Sequence, residues 1–184
     1  MLSSVIQMNA KRTERKYLPE FVYGATDGTV TTFAVVAGAM GASFSPVIAL
    51  ILGFANLFAD GFSMAISNYL SSKSHLELHK KNDSKCEEHK SPKRTALVTF
   101  AAFILIGFIP LLPFFVGIFS PAIEVYQFKI SIALTAAAFL LIGAAKGKVV
   151  GKRSVHSAIE TLVIGGTAAI LAYLVGYFLQ GLVA

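Results

Sequence analysis

The sequence has little charge, a single cysteine and no tryptophan. Of its 184 residues 14% are charged and 55% are hydrophobic, and the mean hydropathy is +0.67. This composition excludes an ordinary soluble domain and is typical of an integral membrane protein. The lone cysteine, Cys86, excludes an internal disulfide framework. No serine lies in a GxSxG turn and no phosphate-binding glycine loop is present, so we expect neither an enzyme nor a resident cofactor.

Five apolar segments are each long enough to cross a membrane as a helix, which takes about 20 residues. The first is too long for a signal peptide and lacks a small-residue cleavage site, so we interpret it as a retained helix. We therefore predict an all-α integral membrane protein with one domain at residues 1–184 and a cytosolic connector at 71–94. The predicted transmembrane helices cover 20–43, 46–70, 95–119, 126–145 and 155–182.

The distribution of basic residues predicts the orientation. A net charge of +6 would suggest nucleic acid as the partner of a soluble protein. Here, however, the basic residues are concentrated in segments that fall on one side of the predicted membrane. Of the 16 lysines and arginines, all except Lys129 fall before the first helix, between the second and third, or between the fourth and fifth. These segments share one side if the helices alternate. The positive-inside rule then places the N-terminus in the cytosol and the C-terminus outside, with the lipid bilayer rather than nucleic acid as partner.

Asp27 and Asp60 lie inside apolar segments, where a carboxylate is costly. Such residues usually line an ion path, although they also serve to stabilise a helix bundle. Counted from the cytosolic helix ends, Asp27 lies about 12 Å deep, Asp60 about 15 Å and Glu160 about 9 Å. We expect no lysine or arginine at this depth. A bound cation or protons would then have to neutralise the three acids.

The second helix carries three ligand-type side chains on one face. Asn56, Asp60 and Met64 are four residues apart in succession. Oxygen ligands alone suit Mg²⁺, Ca²⁺ or Mn²⁺, whereas the thioether shifts the preference toward a softer ion such as Fe²⁺. Met64 has a simpler alternative role, because methionine commonly fills the core of a helix bundle.

Small residues and prolines indicate where helices pack closely or bend. Gly24 and Gly28 form a small-xxx-small face that either lets a neighbouring backbone approach Asp27 or serves helix packing alone. Pro110 and Pro113 predict a kink toward the outer end of the third helix.

The connector contains four further ligand-type residues, which are His75, His79, Cys86 and His89. His75 and His79 lie one helical turn apart, a spacing that can chelate a metal ion. Seven basic residues between the second and third helices oppose cation binding there. A solvated, charged connector is the alternative.

Three stretches resemble signatures of the vacuolar iron transporter family. They are YGATDGTVTTFAVVAG at 23–38, GFANLFADGFSMAIS at 53–67, and GAAKG at 143–147 continuing to ETLVIGG at 160–166. The resemblance implies a homodimer of five-helix subunits that moves Fe²⁺, and often Mn²⁺, out of the cytosol in exchange for protons. It places Asp27 at the family's essential first-helix aspartate and Met64 at its second-helix methionine ligand.

The chain departs from the family pattern at two places. Asn56 stands where plant-type members have a glutamate, while Asp60 adds an acid one turn away. The connector at 71–94 is far shorter than the glutamate-rich cytosolic domain of full-length members, so this is a short form of the family. Metal capture from the cytosol would then be weaker or would fall to His75, His79, Cys86 and His89.

These observations lead to one main prediction and two alternatives. We predict a homodimeric transporter that exports Fe²⁺ or Mn²⁺ by proton antiport, with the metal as substrate. Its metal ligands would be Asp27, Asp60 and Met64, and Asn56 and Glu160 would complete the shell or relay protons. The alternatives are a membrane-embedded metal sensor or accessory subunit without transport, and a purely structural protein. The ligand set does not separate Fe²⁺ from Mn²⁺. The absence of targeting extensions favours a prokaryotic inner membrane.

Overall fold

The computed structural model describes residues 2–81 and 90–182, and the side chains of residues 16–78 and 90–182. This part of the chain is all-α and contains no strand. Its α-helices are α1 (Leu2–Gly41), α2 (Pro46–Lys81), α3 (Pro92–Gly107), α4 (Leu112–Gly117), α5 (Pro121–Glu124), α6 (Gln127–Val150) and α7 (Ser154–Leu179). Two 3₁₀ turns, Ile109–Leu111 and Gln180–Leu182, complete it.

Four stretches of the described chain are long and apolar enough to cross a membrane. They are Pro46–Leu78, Pro92–Gly117, Gln127–Val150 and Ser154–Leu182. They support a multi-pass membrane protein. Helix α1 is also long, but Asp27 and its neighbouring threonines and glycines lower its hydropathy, and it is not among the four. The fifth span and the orientation of the termini therefore stay predictions.

Several helix boundaries differ from the predicted ones. Helix α2 continues to Lys81, so the first part of the predicted connector at 71–94 is helical. Helix α6 continues to Val150, beyond the predicted end at residue 145, and stops at Gly151, whose φ of 74° is left-handed. Such a residue ends a helix because its backbone turns away from the helical path.

The third predicted helix is interrupted at the place of the predicted kink. Helix α3 ends at Gly107 and α4 starts at Leu112, with a 3₁₀ turn between them. Pro110 and Pro113 cause the break because neither has an amide hydrogen for the helical ladder. The hydroxyl of Ser131 on α6 donates to the carbonyl of Pro110 at 2.6 Å, which satisfies a buried acceptor at the break.

Helix α1 is central, since it packs against α2, α3, α6 and α7. It approaches the backbone of α3 closely: a Cβ added to Gly28 would lie 2.6 Å from the carbonyl oxygen of Phe103. A Cβ added to Gly107 would lie 2.8 Å from the carbonyl oxygen of Gly28. Only glycine permits this separation. The small-residue face of α1 therefore packs directly on α3 and sets the rotation of the helix that carries Asp27.

Candidate metal site

Asp27 is partly buried on α1 and lines a groove between α1 and the α6–α7 hairpin. The volume of the groove is about 600 Å³. Most of its wall is apolar, as expected at membrane depth. Its polar lining consists of Tyr23, Thr26 and Asp27 from α1 and Lys146 from α6.

Asp60 on α2 lies close enough to Asp27 for their charges to interact. The two helices are antiparallel neighbours joined by a short turn, which brings these residues to similar depths. Within residues 16–78 and 90–182, no basic side chain forms an ion pair with either aspartate. Two like charges at this separation repel each other, and partial burial weakens their screening by water. A divalent cation between them would remove both penalties.

Asn56 and Met64 lie one turn to either side of Asp60 on α2. The amide nitrogen of Asn56 is buried and has no hydrogen-bond partner in the structure. Met64 is only 8% exposed and belongs to an apolar cluster that includes Leu57 and Phe103. This environment agrees with the core-filling role of Met64. Its role as a ligand, like that of Asn56, stays a prediction.

Glu160 on α7 has a basic neighbour. The ammonium of Lys146 lies 4.0 Å from a carboxylate oxygen of Glu160. The expectation that no lysine or arginine lies at the depth of the acids was therefore wrong. The physical reason is the length of α6, which runs to Val150 and so places Lys146 inside the helix, one turn before its end.

The three acids do not form one cluster within the chain. Among the described residues, no group of three or more histidine, cysteine, aspartate or glutamate side chains is close enough to hold a metal ion. Asp27 and Asp60 interact, whereas Glu160 lies beside Lys146. The shared layer at one membrane depth stays a prediction, and within the described residues the three acids lie at different positions around the bundle.

The connector residues are tested only in part. His75 is exposed on α2. The side chain of His79 and residues Cys86 and His89 lie outside the described parts of the chain. Their proposed role in metal capture stays a prediction.

Two polar contacts to the middle of α1 were not predicted. Lys90 donates to Glu20 at 2.8 Å, and the backbone amide of Ser91 donates to the hydroxyl of Tyr17 at 3.1 Å. Both contacts tie the residues before α3 to α1. Sequence spacing gives no signal for them, because the partners are about 70 residues apart.

Comparison with known proteins identifies the family. A sequence profile described as the VIT family matches residues 18–90 and 82–177. The chain belongs to the VIT family. The resemblance seen in the signatures of the first two helices is confirmed, since the two matches together cover most of the chain.

Named relatives in this family align with most of the chain. A "Vacuolar iron transporter" of Toxoplasma gondii is 27% identical over 233 positions, covering 94% of this chain and 77% of the relative. "Vacuolar iron transporter 1" of Arabidopsis thaliana is 25% identical over 225 positions, covering 91% and 88%. "Vacuolar iron transporter homolog 4" of the same plant is 30% identical over 162 positions, covering 84% and 79%.

The alignments support the short-form interpretation. The two longer ones span 233 and 225 positions, more than the 184 residues of this chain, so they include gaps opposite segments that the relatives have in addition. The alignment with homolog 4 spans 162 positions, fewer than the 184 residues of this chain, so its length does not require a long additional segment in that relative. The two family matches meet at residues 82–90, within the connector.

The names of the relatives bear on two further predictions. They are transporters, which agrees with the prediction that the chain is not an enzyme. The relatives named above are eukaryotic proteins called vacuolar, and they give no support to a prokaryotic inner membrane.

Proposed function

We propose that this protein transports a divalent transition metal ion, Fe²⁺ or Mn²⁺, out of the cytosol in exchange for protons. The observation that carries the proposal is the position of Asp27 and Asp60 at similar heights on two neighbouring antiparallel helices, where neither forms an ion pair with a basic side chain of residues 16–78 and 90–182. Membership of a family whose relatives are named iron transporters supports the same function. Residues 1–184 would form one membrane domain with a cytosolic N-terminus. Its five spans would be α1 and the four apolar stretches described above.

The ligand chemistry accounts for both metal binding and proton coupling. Asp27 and Asp60 would supply two negative charges, Asn56 an amide oxygen and Met64 a thioether. This mixed set favours a first-row transition ion over Mg²⁺ or Ca²⁺. A carboxylate that binds a proton loses the charge that holds a metal ion, so the two cations compete at one site. Competition of this kind produces antiport when the site opens alternately to the two sides.

We further propose that the transporter is a homodimer. Helix α2 exposes large apolar side chains on the face away from the core, among them Phe58, Phe62 and Ile66. A second copy packed on this face would bury these side chains away from lipid. Glu160 stays a candidate that completes the ligand shell or relays protons.

The decisive experiment measures metal flux and proton flux together in proteoliposomes. We expect the wild-type protein to move Fe²⁺ or Mn²⁺ with opposite proton movement, reported by a trapped pH probe. Asp27→Asn should reduce both fluxes to the rate of protein-free liposomes, because the site loses a charge that both cations need. Glu124→Gln is the matched control: it removes an exposed acid on α5, distant from the site, and should transport normally.

Each other outcome has a clear meaning. Normal transport by Asp27→Asn would refute the assigned site. Stoichiometric metal binding in detergent without flux in liposomes would indicate a sensor or accessory subunit instead of a transporter. Metal flux without proton movement would refute antiport alone. Repeating the assay with Fe²⁺, Mn²⁺, Co²⁺, Zn²⁺ and Ca²⁺ would establish the substrate.

A further inference from the structure

Lys146 lines the same groove as Asp27, although the metal site proposed above gives it no role. It projects from α6 four residues before the end of the helix, and its ammonium lies 4.0 Å from Glu160 on α7. Pro19 on α1 and Val150, the last residue of α6, line the groove together with Asp27. Among the residues whose side chains the structure describes, Asp27 and Lys146 are the charged ones that line it. A carboxylate without an ion pair and an ammonium thus share one largely apolar space.

The ion pair between Lys146 and Glu160 is a loose one. At 4.0 Å it lies at the limit of ion-pair distance, and the side chains are 41% and 47% exposed. A separation of 4.0 Å is too long for a hydrogen bond, so the ammonium is not held firmly on Glu160. The long, flexible stem of lysine lets its charge move between alternative partners.

A positive charge nearby would stabilise the carboxylate of Asp27. Asp27 is partly buried, it interacts with a second carboxylate, and it forms no ion pair with any side chain that the structure describes. A mobile ammonium in the shared groove would therefore be drawn toward Asp27 whenever that site lacks a metal ion.

We infer that Lys146 is a tethered counter-cation of the metal site, which exchanges between Glu160 and Asp27 and competes there with the transported ion. This inference rests on the proposed function, because it assumes that Asp27 binds the metal. Lys146 thereby limits the affinity of the site and promotes release of the ion. It is a positioning residue that acts through Asp27.

The test measures Mn²⁺ affinity by titration of the purified full-length protein in detergent. Lys146→Gln should bind Mn²⁺ about two- to fivefold more tightly than wild type, since the competing pair is of the partly exposed kind. Lys146→Arg keeps the charge and should stay near the wild-type affinity. Lys148→Gln is the matched control, because it removes the same charge from an exposed position of α6 outside the groove.

A thermal-unfolding cycle in chelator distinguishes a mobile lysine from a static ion pair. If Lys146 interacts with Asp27, the changes in melting temperature caused by Lys146→Gln and Asp27→Asn should not add. Additive effects of these two substitutions, together with non-additive effects of Lys146→Gln and Glu160→Gln, would show a static pair and overturn the inference.

The affinity data separate failure of the inference from failure of the proposed function. Equal Mn²⁺ affinities for Lys146→Gln and Lys148→Gln would overturn the role of Lys146, while loss of binding in Asp27→Asn would still support the site. If the wild-type protein does not bind Mn²⁺, or if Asp27→Asn binds it normally, the proposed site fails and the inference fails with it.

Discussion

The contact between α1 and α3 makes a sharp prediction for Gly28→Ala. The added Cβ would lie 2.6 Å from the carbonyl oxygen and 3.0 Å from the Cα of Phe103. Both are backbone atoms, so no side-chain rotation relieves the clash and the two helices must move apart. Overpacking of this kind costs about 1–3 kcal/mol. We expect the free energy of unfolding to fall by that amount.

The same substitution should weaken the metal site. Gly28 follows Asp27 directly, so a displacement of α1 moves that carboxylate relative to Asp60 on α2. Reversible unfolding in mixed micelles measures the stability, and Mn²⁺ titration measures the site. Gly166→Ala on α7 is the control, because its added Cβ meets no atom within 4 Å. If Gly28→Ala were as stable as this control, the close contact between α1 and α3 would be refuted.

Two further substitutions test polar contacts that hold the bundle together. Ser131→Ala leaves the buried carbonyl of Pro110 without its donor and should cost about 1–3 kcal/mol in unfolding free energy. Thr167→Val removes a hydroxyl that only bonds back to its own helix and should change stability by less than about 0.5 kcal/mol; equal effects would contradict the role of Ser131. Glu20→Gln weakens the 2.8 Å contact with Lys90 at a largely buried position, and we expect a loss of about 1–3 kcal/mol in chemical unfolding. Its control, Glu77→Gln, affects an exposed pair at 3.8 Å and should be silent.

Much of the fold could be predicted because a membrane helix is recognisable from a single continuous stretch of sequence. Apolar runs of sufficient length predicted the helices, and the prolines at 110 and 113 predicted a bend where α3 in fact ends. Helix ends were less predictable, since polar residues at a membrane surface are compatible with either a helix or a loop. The predicted ends at residues 70 and 145 were both too early for this reason.

The candidate site could likewise be predicted only in part. Sequence alone singled out Asp27 and Asp60, because a carboxylate in an apolar segment is costly wherever that segment packs. It also placed Glu160 at a similar depth, since depth follows from the rise of a helix. It offered two roles for Met64, of which the structure agrees with core filling, and it did not predict that Glu160 lies beside Lys146.

By itself, the sequence determined the membrane class, the family signatures and the presence of two acids within apolar segments. Only the tertiary structure decided which of the charged residues meet. Contacts across helices depend on how each helix is rotated and where it ends, and these are set by packing such as that of Gly28 against Phe103. One additional turn at the end of α6 places Lys146 beside Glu160 and in the groove of Asp27, and no local pattern in the sequence encodes that position.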